Sequence, residues 1–527
     1  MTRPPDGTGV PQPPYPRGYP PPPGYGQPPG YGQPPGYGPP PVYGPPPNYG
    51  QVPGYGPPPG PPRRRAGMTI ALGAAVMVLI LVVTAVVVWA VGRDDDSPAA
   101  AGALPLGQVT GSFASRPSSG WQVTAAQIKP PDFTTASFSA LDYSYGDSVI
   151  DLDGLVLVSV ARPQTDATPA LVALDTETGQ VRWRGSGSTK LCARDVIDGL
   201  LPCYIAPEPG VVPRDAITFI RVADGTVART VSSGVAGVRG VAVVDGEVIV
   251  AGVTDDGSQA THVIRGTPDN LRATWDFSQP LADSGCAGTG DSLYFGADAD
   301  YVRVGNDASQ LVLHAATGKP VHTTGLARVQ LRPGQGVIGT TCTSDLASAP
   351  RDLHVFDASG TLVRTVPGIT DGPPAIGTRG TSSTEVPYVA NGVVTGFATG
   401  RPAWPGPGPR PAIDESPDAQ AVADVLLVGD NPDSGVDGYA LDSGDLLFSS
   451  GAGTLGSPSR NGFTWLTDGR RLISMSTGGT VVGMDLRTGE QVWSLPASGA
   501  SSGTLHRAGK GFVAQSGDTL TYYPSSE

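Results

Sequence analysis

A short motif recurs along the second part of this chain at a nearly constant interval. Its clearest copies are LVALDTETGQVRW and VVGMDLRTGEQVW, which share an apolar strand, an aspartate, a Thr-Gly turn and a tryptophan four residues after the glycine. The shared positions are Asp175, Gly179 and Trp183 in the first copy and Asp485, Gly489 and Trp493 in the second. Repetition of this kind predicts similar structural units, each packed against its neighbours in sequence.

Weaker copies of the motif lie between these two. Their turns fall at Gly225, near Asn270, and at Gly318, Gly360, Gly400 and Gly444, and two of the copies end in Trp275 and Trp404. Successive turns are 40 to 48 residues apart. This interval is the length of a four-stranded β-propeller blade.

The turn of each copy has the chemistry of a β-hairpin. Asp and Thr side chains bond the local backbone, and glycine accepts a positive φ. The motif is therefore expected to join the two outer strands of a blade, while pairs such as VAVVDGEVIVAGV supply the inner strands. We predict an all-β fold, a β-propeller of about eight four-stranded blades. Seven blades are the alternative, because the Pro- and Gly-rich stretch 368–409 predicts an incomplete blade.

The two ends of the repeat region supply the missing strands. GFVAQSGDTLTYY at the carboxyl end has no following Gly-and-Trp turn, and GWQVTAAQI near the start is an isolated strand. Pairing the two segments closes the ring and removes the open sheet edges. The motif tryptophans are expected to pack between neighbouring blades. A stacking platform for a ligand is the alternative interpretation.

The full motif, ALDxxTGxxxW, resembles the PQQ-like repeat of quinoprotein dehydrogenases and of the outer-membrane assembly lipoprotein of Gram-negative bacteria. Both of these are eight-bladed propellers. The first and last copies match well, the middle copies match loosely, and together they cover roughly residues 140–525. The resemblance implies the fold and says little about function, because one fold serves many functions.

Enzymes of the quinoprotein class hold PQQ with a disulfide between adjacent cysteines, a tryptophan beneath the quinone, and Glu, Asn and Asp around calcium. This chain has no adjacent cysteines and no recognisable set of that kind. The HExxH and GxSxG motifs are also missing from the sequence. We therefore expect no catalytic, cofactor-binding or metal-binding residues, and neither PQQ nor calcium as a cofactor.

Two groups of polar residues have both a structural and a functional interpretation. His314, His322 and His354 lie on predicted strands or their turns, where a structural role is favoured over catalysis. The aspartates of DNPDSGVDG (residues 430–438) offer oxygen ligands for calcium, but their spacing departs from the usual loop. An exposed blade loop is favoured over a calcium site.

Residues 68–91 form an apolar segment without one charge, MTIALGAAVMVLILVVTAVVVWAV. A helix of this length exceeds the ~30 Å hydrocarbon core of a bilayer. An arginine triplet ends at Arg65 and an aspartate triplet begins at Asp94, so the amino terminus is expected in the cytoplasm. A cleaved signal peptide is the alternative, disfavoured by the late start of the segment. The predicted organisation is a cytoplasmic tail (1–67), a single-pass transmembrane helix (68–91), a linker (92–115) and an extracytoplasmic propeller (116–527).

The tail carries a tyrosine every six residues from Tyr19 to Tyr55, within Pro- and Gly-rich repeats. It has almost no aliphatic side chains to bury, so we predict disorder with polyproline II character. Multivalent weak binding and a passive spacer are both open as roles. Such tails resemble those on membrane proteins of mycobacteria and related actinobacteria, where they accompany unrelated outer domains.

All four cysteines, Cys192, Cys203, Cys286 and Cys342, follow the membrane segment. An even number in a compartment where disulfides persist favours two disulfides. We favour a bond from Cys192 to Cys203, which clips a short loop, and one from Cys286 to Cys342, which ties adjacent repeats. A zinc site is the alternative, but neither a CxxC spacing nor a nearby histidine supports it.

The charge distribution bears on the partners. The formal net charge is −13, and because five arginines and one aspartate precede Met68, the outer part is more acidic than the whole chain. Without a basic cluster, nucleic acid is not an expected partner. The leading hypothesis is a non-catalytic binding or scaffolding module of the cell envelope. Its partners are envelope proteins or cell-wall components outside and unknown proteins inside. A PQQ-dependent quinoprotein oxidoreductase and a transmembrane ligand sensor are the alternatives.

Overall fold

The computed structural model describes residues 107–526, except residues 140, 142–147, 153, 163–168, 186–188, 206–214, 254–259, 281–283, 285, 287–292, 307–308, 323–324, 343–350, 370–376, 380–385, 391–392, 401–402, 405–417, 430–434, 452–464, 477–478 and 497–502. The predicted tail, the membrane segment and most of the linker lie outside the described residues. Within the described residues, no helix has the length and hydropathy that crossing a bilayer requires.

The first four blades, numbered in chain order, come from the first half of the propeller. Blade 1 contains β2 (Ser137–Phe138), β3 (Val149–Leu152), β4 (Leu155–Ala161), β5 (Ala170–Asp175) and β6 (Val181–Arg184). Blade 2 contains β7 (Thr189–Cys192), β8 (Leu200–Ile205), β9 (Ala216–Arg221) and β10 (Val227–Ser232). Blade 3 contains β11 (Val238–Val244), β12 (Glu247–Val253), β13 (Ala260–Thr267) and β14 (Asn270–Pro280). Blade 4 contains β15 (Leu293–Ala297), β16 (Tyr301–Asn306) and β17 (Gln310–His314).

The remaining blades follow the same order, with one hairpin between them. Blade 5 contains β18 (Ala327–Arg332), β19 (Gly336–Cys342), β20 (Arg351–Asp357) and β21 (Leu362–Ile369), and the hairpin contains β23 (Tyr388–Ala390) and β24 (Val393–Thr395). Blade 6 contains β22 (Gly377–Arg379), β25 (Asp418–Val422), β26 (Val425–Gly429), β27 (Asp437–Ala440) and β28 (Leu446–Ser449). Blade 7 contains β29 (Trp465–Thr467), β30 (Arg471–Met475), β31 (Val481–Asp485) and β32 (Gln491–Leu495). Blade 8 contains β33 (Gly503–Ala508), β34 (Gly511–Ser516), β35 (Thr519–Tyr523) and β1 (Gln122–Thr124), which is followed by the short helix α1 (Ala125–Ile128).

The structure confirms an all-β propeller of eight blades, the fold that the PQQ-like resemblance implies. Each blade is a sheet of three to five strands, and nearly all neighbouring strands are antiparallel. The incomplete blade predicted within residues 368–409 is the two-stranded hairpin. Strand β22 precedes the hairpin in sequence but pairs in parallel with β25 of blade 6. Among the described residues, no inner strand therefore pairs with this hairpin.

The hydrophobic core is divided into clusters that lie between neighbouring sheets. The cluster between blades 1 and 2, for example, joins Leu157 and Trp183 to Leu201 and Ile220. The hairpin packs in the same way, with Tyr388 against blade 5 and Val394 against blade 6. Because both faces of a blade are covered, its middle strands are apolar runs rather than alternating sequences.

The two ends of the described chain close the ring. Strand β1 pairs antiparallel with β35, with Gln122 opposite Thr521. Trp121 stacks on Tyr522 with ring centroids 5.4 Å apart. Blade 8 therefore draws one strand from the start of the propeller and three from its end, which confirms the closure predicted from the sequence.

Residues 107–115 also belong to the propeller, although the sequence assigned them to the linker. The Val109 N–H donates to the Thr467 carbonyl oxygen at 2.9 Å. Phe113 is fully buried, with its ring 5.2 Å from that of Phe512. The predicted boundary at residue 116 is too late, because these two apolar side chains fill the junction between blades 7 and 8.

Both cysteine pairs favoured from the sequence are bonded. The bond between Cys192 and Cys203 joins β7 to β8, where the two residues are directly opposite each other. The bond between Cys286 and Cys342 joins the segment before β15 to the end of β19. The second bond therefore links blade 4 to blade 5.

The tryptophan of the first full motif packs on the turn of the next sheet. The Trp183 indole Nε1 donates to the Val222 carbonyl oxygen at 2.7 Å. A Cβ atom added to Gly225 would stand 2.5 Å from the same indole. Gly225 also has a φ of 72°, so both the backbone conformation and the close approach require glycine there.

The same contact recurs around the ring. Trp121 donates to Thr176 at 2.8 Å, Trp275 to Ala315 at 2.8 Å, Trp404 to Leu441 at 3.1 Å and Trp493 to Phe113 at 2.9 Å. We call this contact the tryptophan clasp. Each clasp adds one hydrogen bond and a large buried ring to the junction between two sheets.

We predict that Trp183→Ala lowers the free energy of unfolding by roughly 3–5 kcal/mol, because it empties a buried site at a blade junction. Trp183→Phe keeps most of the packing and loses the hydrogen bond, so we expect a loss nearer to ~1 kcal/mol from the bond itself. Urea unfolding of the purified chain measures both. Val227→Ala, at a side chain that is 49% exposed, is the control. Equal midpoints for Trp183→Ala and this control would show that the clasp does not stabilise the ring.

Candidate functional site

One face of the ring carries two kinds of turn. In an antiparallel blade, the turn from the first to the second strand and the turn from the third to the fourth strand lie at the same end of the sheet. The motif turns at Gly179 and Gly489 are of the second kind. We call this end of the ring the turn face.

The motif aspartates build the turns of this face. Asp175 Oδ1 accepts from the backbone N–H of Thr178 at 2.9 Å and from its hydroxyl at 2.9 Å. Asp485 Oδ1 accepts from the N–H groups of Arg487 at 2.9 Å and Thr488 at 3.3 Å. The Thr178 hydroxyl is the main cause that lowers the pKa of the Asp175 carboxyl. These carboxylates act as turn acceptors, as side chains of this type often do.

Further carboxylates on the turn face point into solvent. The exposed acidic residues of its turns are Glu177, Asp198, Asp224, Asp245, Asp269, Asp424, Asp442, Asp445 and Glu490. The exposed basic residues of the same turns are Arg221, Lys319, Arg470, Arg487 and Lys510. Acidic groups therefore predominate on this face, in agreement with the net charge of the chain.

Ion pairs between blades use some of these groups. Arg487 of blade 7 pairs with Asp424 of blade 6, and Arg470 lies 3.6 Å from Asp485. Exposed pairs of this kind contribute little to stability, typically below ~1 kcal/mol. The pairs between blades align neighbouring turns. Three more of the exposed aspartates also pair with arginines: Asp224, Asp245 and Asp269.

Four blades carry another side chain where the motif has tryptophan. These side chains, each four residues after a turn glycine, are Arg229, His322, Arg364 and Phe448. The Arg364 guanidinium Nη1 donates to the Tyr388 hydroxyl at 3.0 Å, which joins blade 5 to the hairpin. The repeat motif did not predict these contacts, although the fixed offset from the turn glycine is a signal that would have located the four side chains.

The junction between blades 4 and 5 contains a pair of histidines. The rings of His322 and His354 lie 5.5 Å apart, and His322 packs edge-on against Phe356 at 5.3 Å. His354 Nε2 lies 2.9 Å from the Thr341 hydroxyl, one residue before the disulfide cysteine Cys342. Burial, followed by the charge of His322, lowers the pKa of His354.

The other residues singled out in the sequence lie apart from this pair. The His314 ring lies 5.5 Å from Tyr301 at the end of β17. Asp437 accepts from the Tyr439 hydroxyl at 3.3 Å within blade 6. Asp430 and Asp433 lie outside the described residues. The structure therefore brings no second histidine to His314 and tests no calcium loop.

The carboxyl group with the most raised pKa also has a structural explanation. Burial raises the pKa of Asp298 to about 6. Its Oδ1 accepts from the N–H groups of Asp300 at 2.9 Å and Tyr301 at 2.7 Å, which closes the turn between β15 and β16. Because the Asp298 carboxyl is occupied by these two backbone hydrogen bonds, its raised pKa is explained by its structural role in the turn.

The described residues do not fit the quinone and calcium of the quinoprotein enzymes. Cys192 and Cys203 are eleven positions apart on facing strands, and both are buried in the junction between blades 1 and 2. Across the described part of the chain, no three His, Cys, Asp or Glu side chains converge as metal ligands. We derive no reaction step through either group.

Comparisons with known proteins add little beyond the architecture. No protein-family model matches the sequence. No curated protein matches it either. The computationally designed Ika8 protein is 11% identical, with 74% of this chain and 98% of that protein covered and a TM-score of 0.41. BamB from Moraxella catarrhalis is 12% identical, with 77% and 99% covered and a TM-score of 0.31. Quinohemoprotein alcohol dehydrogenase from Comamonas testosteroni is 13% identical, with 78% and 77% covered and a TM-score of 0.40. At these values the assignment of the fold rests on the sheets of this chain itself.

We predict that the histidine pair makes stability depend on pH. The folded state holds the pKa of His354 below its ordinary value of about 6.5, so the unfolded chain takes up the proton first. Stability is therefore retained above this pH and falls as the pH drops through it. His354→Gln is expected to flatten the fall of the melting temperature between pH 7.5 and about 5.5. An unchanged profile in His354→Gln would assign the pH dependence to other groups.

Proposed function

We propose that this chain is a membrane-anchored, extracytoplasmic β-propeller that acts as a non-catalytic binding or scaffolding module of the cell envelope. The observation that carries the proposal is the rigid turn face of a closed ring, on which exposed carboxylates predominate. A rigid scaffold that presents many turns on one surface suits recognition better than the positioning of a few reacting groups.

The charge of the turn face indicates the chemistry of the partner. Carboxylates from blades 1, 2, 3, 6 and 7 are exposed there, so the attraction is spread over the face rather than concentrated in one cleft. A partner with a basic surface would therefore meet carboxylates on each of these blades. Such complementarity raises association rates and rejects acidic competitors. We therefore favour a basic envelope protein as the partner of this face.

The anchor and the location remain part of the proposal. The apolar segment 68–91 and its flanking charges support a single membrane pass with a cytoplasmic tail. The two disulfides are typical of an oxidising compartment outside the cytoplasm. On this basis the propeller binds its partner outside the membrane, while the tyrosine-rich tail engages separate proteins inside.

We predict that charge reversal on the turn face weakens partner binding. Glu177→Lys, Asp442→Lys and Glu490→Lys each replace an exposed carboxylate in a different blade and disturb no side-chain hydrogen bond described above. Each is expected to lower recovery of the partner in cross-linking experiments in cells. The triple variant is expected to lower it about tenfold, the equivalent of ~1.4 kcal/mol.

Asp518→Lys is the matched control, because Asp518 is exposed in the turn between β34 and β35 on the opposite face of the ring. It makes the same charge change and is expected to leave recovery unchanged. Equal losses for the control and the turn-face variants would remove the turn face as the docking surface. Stoichiometric uptake of PQQ with calcium, followed by dye-linked oxidation of an alcohol or sugar, would contradict the non-catalytic role itself.

A further inference from the structure

A buried arginine lies at the inner edge of blade 5. Arg332 is the last residue of β18 and is 2% exposed. Its Nη2 donates to the Gln330 side-chain oxygen at 2.9 Å. Its Nε has no acceptor, and among the described residues no carboxylate forms an ion pair with it. The guanidinium is therefore buried with one neutral acceptor and no counter-charge.

A second buried arginine shows how this fold normally satisfies such a group. Arg265 Nε donates to the Glu247 carboxylate at 2.7 Å, and its Nη1 donates to the Ala315 carbonyl oxygen at 2.9 Å. Its Nη2 lies 3.6 Å from the Asp245 carboxylate. Arg265 therefore has two acidic partners and a carbonyl, whereas Arg332 has one amide oxygen. Arg332 is therefore less completely paired than Arg265.

Burial without a partner disfavours the charged form of a guanidinium, yet it does not remove the charge here. Desolvation alone lowers the pKa of Arg332 to about 10, so the group stays protonated at neutral pH. A buried positive charge is strongly unfavourable unless an anion accompanies it. Asp300, a carboxylate of the turn between β15 and β16, accepts from the Gly334 N–H at 2.8 Å.

The location of Arg332 is the irregular part of the ring. Val329 and Leu331 of β18 pack toward blade 4. Because side chains alternate along a strand, Gln330 and Arg332 face the other side, toward the hairpin. Gln335, three residues beyond Arg332, accepts from the Val386 N–H at 3.1 Å just before β23. Strand β22, which precedes the hairpin in sequence, pairs with β25 of blade 6 rather than with the hairpin.

We propose that Arg332, with Gln330 beside it, binds a small monovalent anion, either a halide or a carboxylate group, at the junction of blade 5 and the hairpin. One guanidinium balances one negative charge, so a monovalent anion leaves the site neutral and a phosphate dianion does not. The planar fork of arginine suits a carboxylate, and its N–H groups also suit a halide. The near-complete burial of the side chain selects a small anion over a bulky one.

The first test measures the melting temperature of the full chain, purified in detergent, with increasing chloride or acetate. A bulky aryl sulfonate keeps the ionic strength constant. An anion that binds only the folded state raises the melting temperature with the logarithm of its concentration. We expect this rise for the wild type and its loss in Arg332→Met. Arg328→Met, at an exposed arginine of the same strand, is the matched control and should keep the rise.

The results distinguish a halide from a carboxylate as the bound anion, and they also show whether the proposal fails. A steeper rise with chloride assigns a halide, and a steeper rise with acetate assigns a carboxylate. Equal responses of the wild type and Arg332→Met would reduce the effect to general salt stabilisation and overturn the site. If Arg332→Met does not fold, Arg332→Lys replaces it: the lysine keeps the charge but not the fork, so acetate stabilisation should fall more than chloride stabilisation.

A second test does not depend on stability. Crystals of the chain soaked in bromide are expected to show an anomalous peak within about 3.5 Å of the Arg332 guanidinium, near the usual limit of such contacts. The peak should be missing in Arg332→Lys crystals if the fork is needed, or weaker if the charge alone suffices. Wild-type crystals that hold neither bromide nor acetate at this arginine would contradict the proposal.

Discussion

The ring depends on the contact between the tryptophan of one motif and the turn glycine of the next sheet. The apolar clusters of the described residues lie between neighbouring blades, and segments outside the blades, such as α1, complete some of them. The clasp fixes the distance between two blades at their outer edges, where twisted sheets diverge and packing is weakest. The clasp needs a glycine in the turn, because a Cβ atom at Gly225 would collide with the Trp183 ring. It also needs a free carbonyl oxygen just before that turn, which Val222 supplies one residue after the end of β9.

The clasp also explains how the ends of the chain become part of the ring. Trp493 of blade 7 has no ordinary motif turn to meet, and its indole instead donates to the carbonyl oxygen of Phe113. Trp121 performs the same role for blade 8 by donating to Thr176 of blade 1. The amino-terminal segment therefore completes two junctions in succession. This is why residues that look like a linker in the sequence are buried in the structure.

Several departures from the motif lie at blade 5 and the hairpin. Between blades 4 and 5 the His314 ring covers the turn at Gly360, and Arg364 takes the place of the tryptophan between blade 5 and the hairpin. The disulfide between Cys286 and Cys342 links blades 4 and 5. Arg332 lies buried in β18 of blade 5. Polar and covalent contacts here accompany the apolar packing of the blade junctions.

The sequence by itself determined the all-β propeller, its closure by the two termini, the turn positions and the favoured cysteine pairs. Those features are local or periodic: a Thr-Gly turn specifies its hairpin, and a spacing of about 44 residues specifies a blade. Only the tertiary structure decided that Arg364 contacts the Tyr388 hydroxyl, that β22 pairs with blade 6, and that Arg332 is buried with no acidic partner among the described residues. The physical reason is that these outcomes depend on which side chain faces which across a blade junction. A repeat pattern states that a junction exists, but the partners that meet there are set by packing between distant segments of the chain.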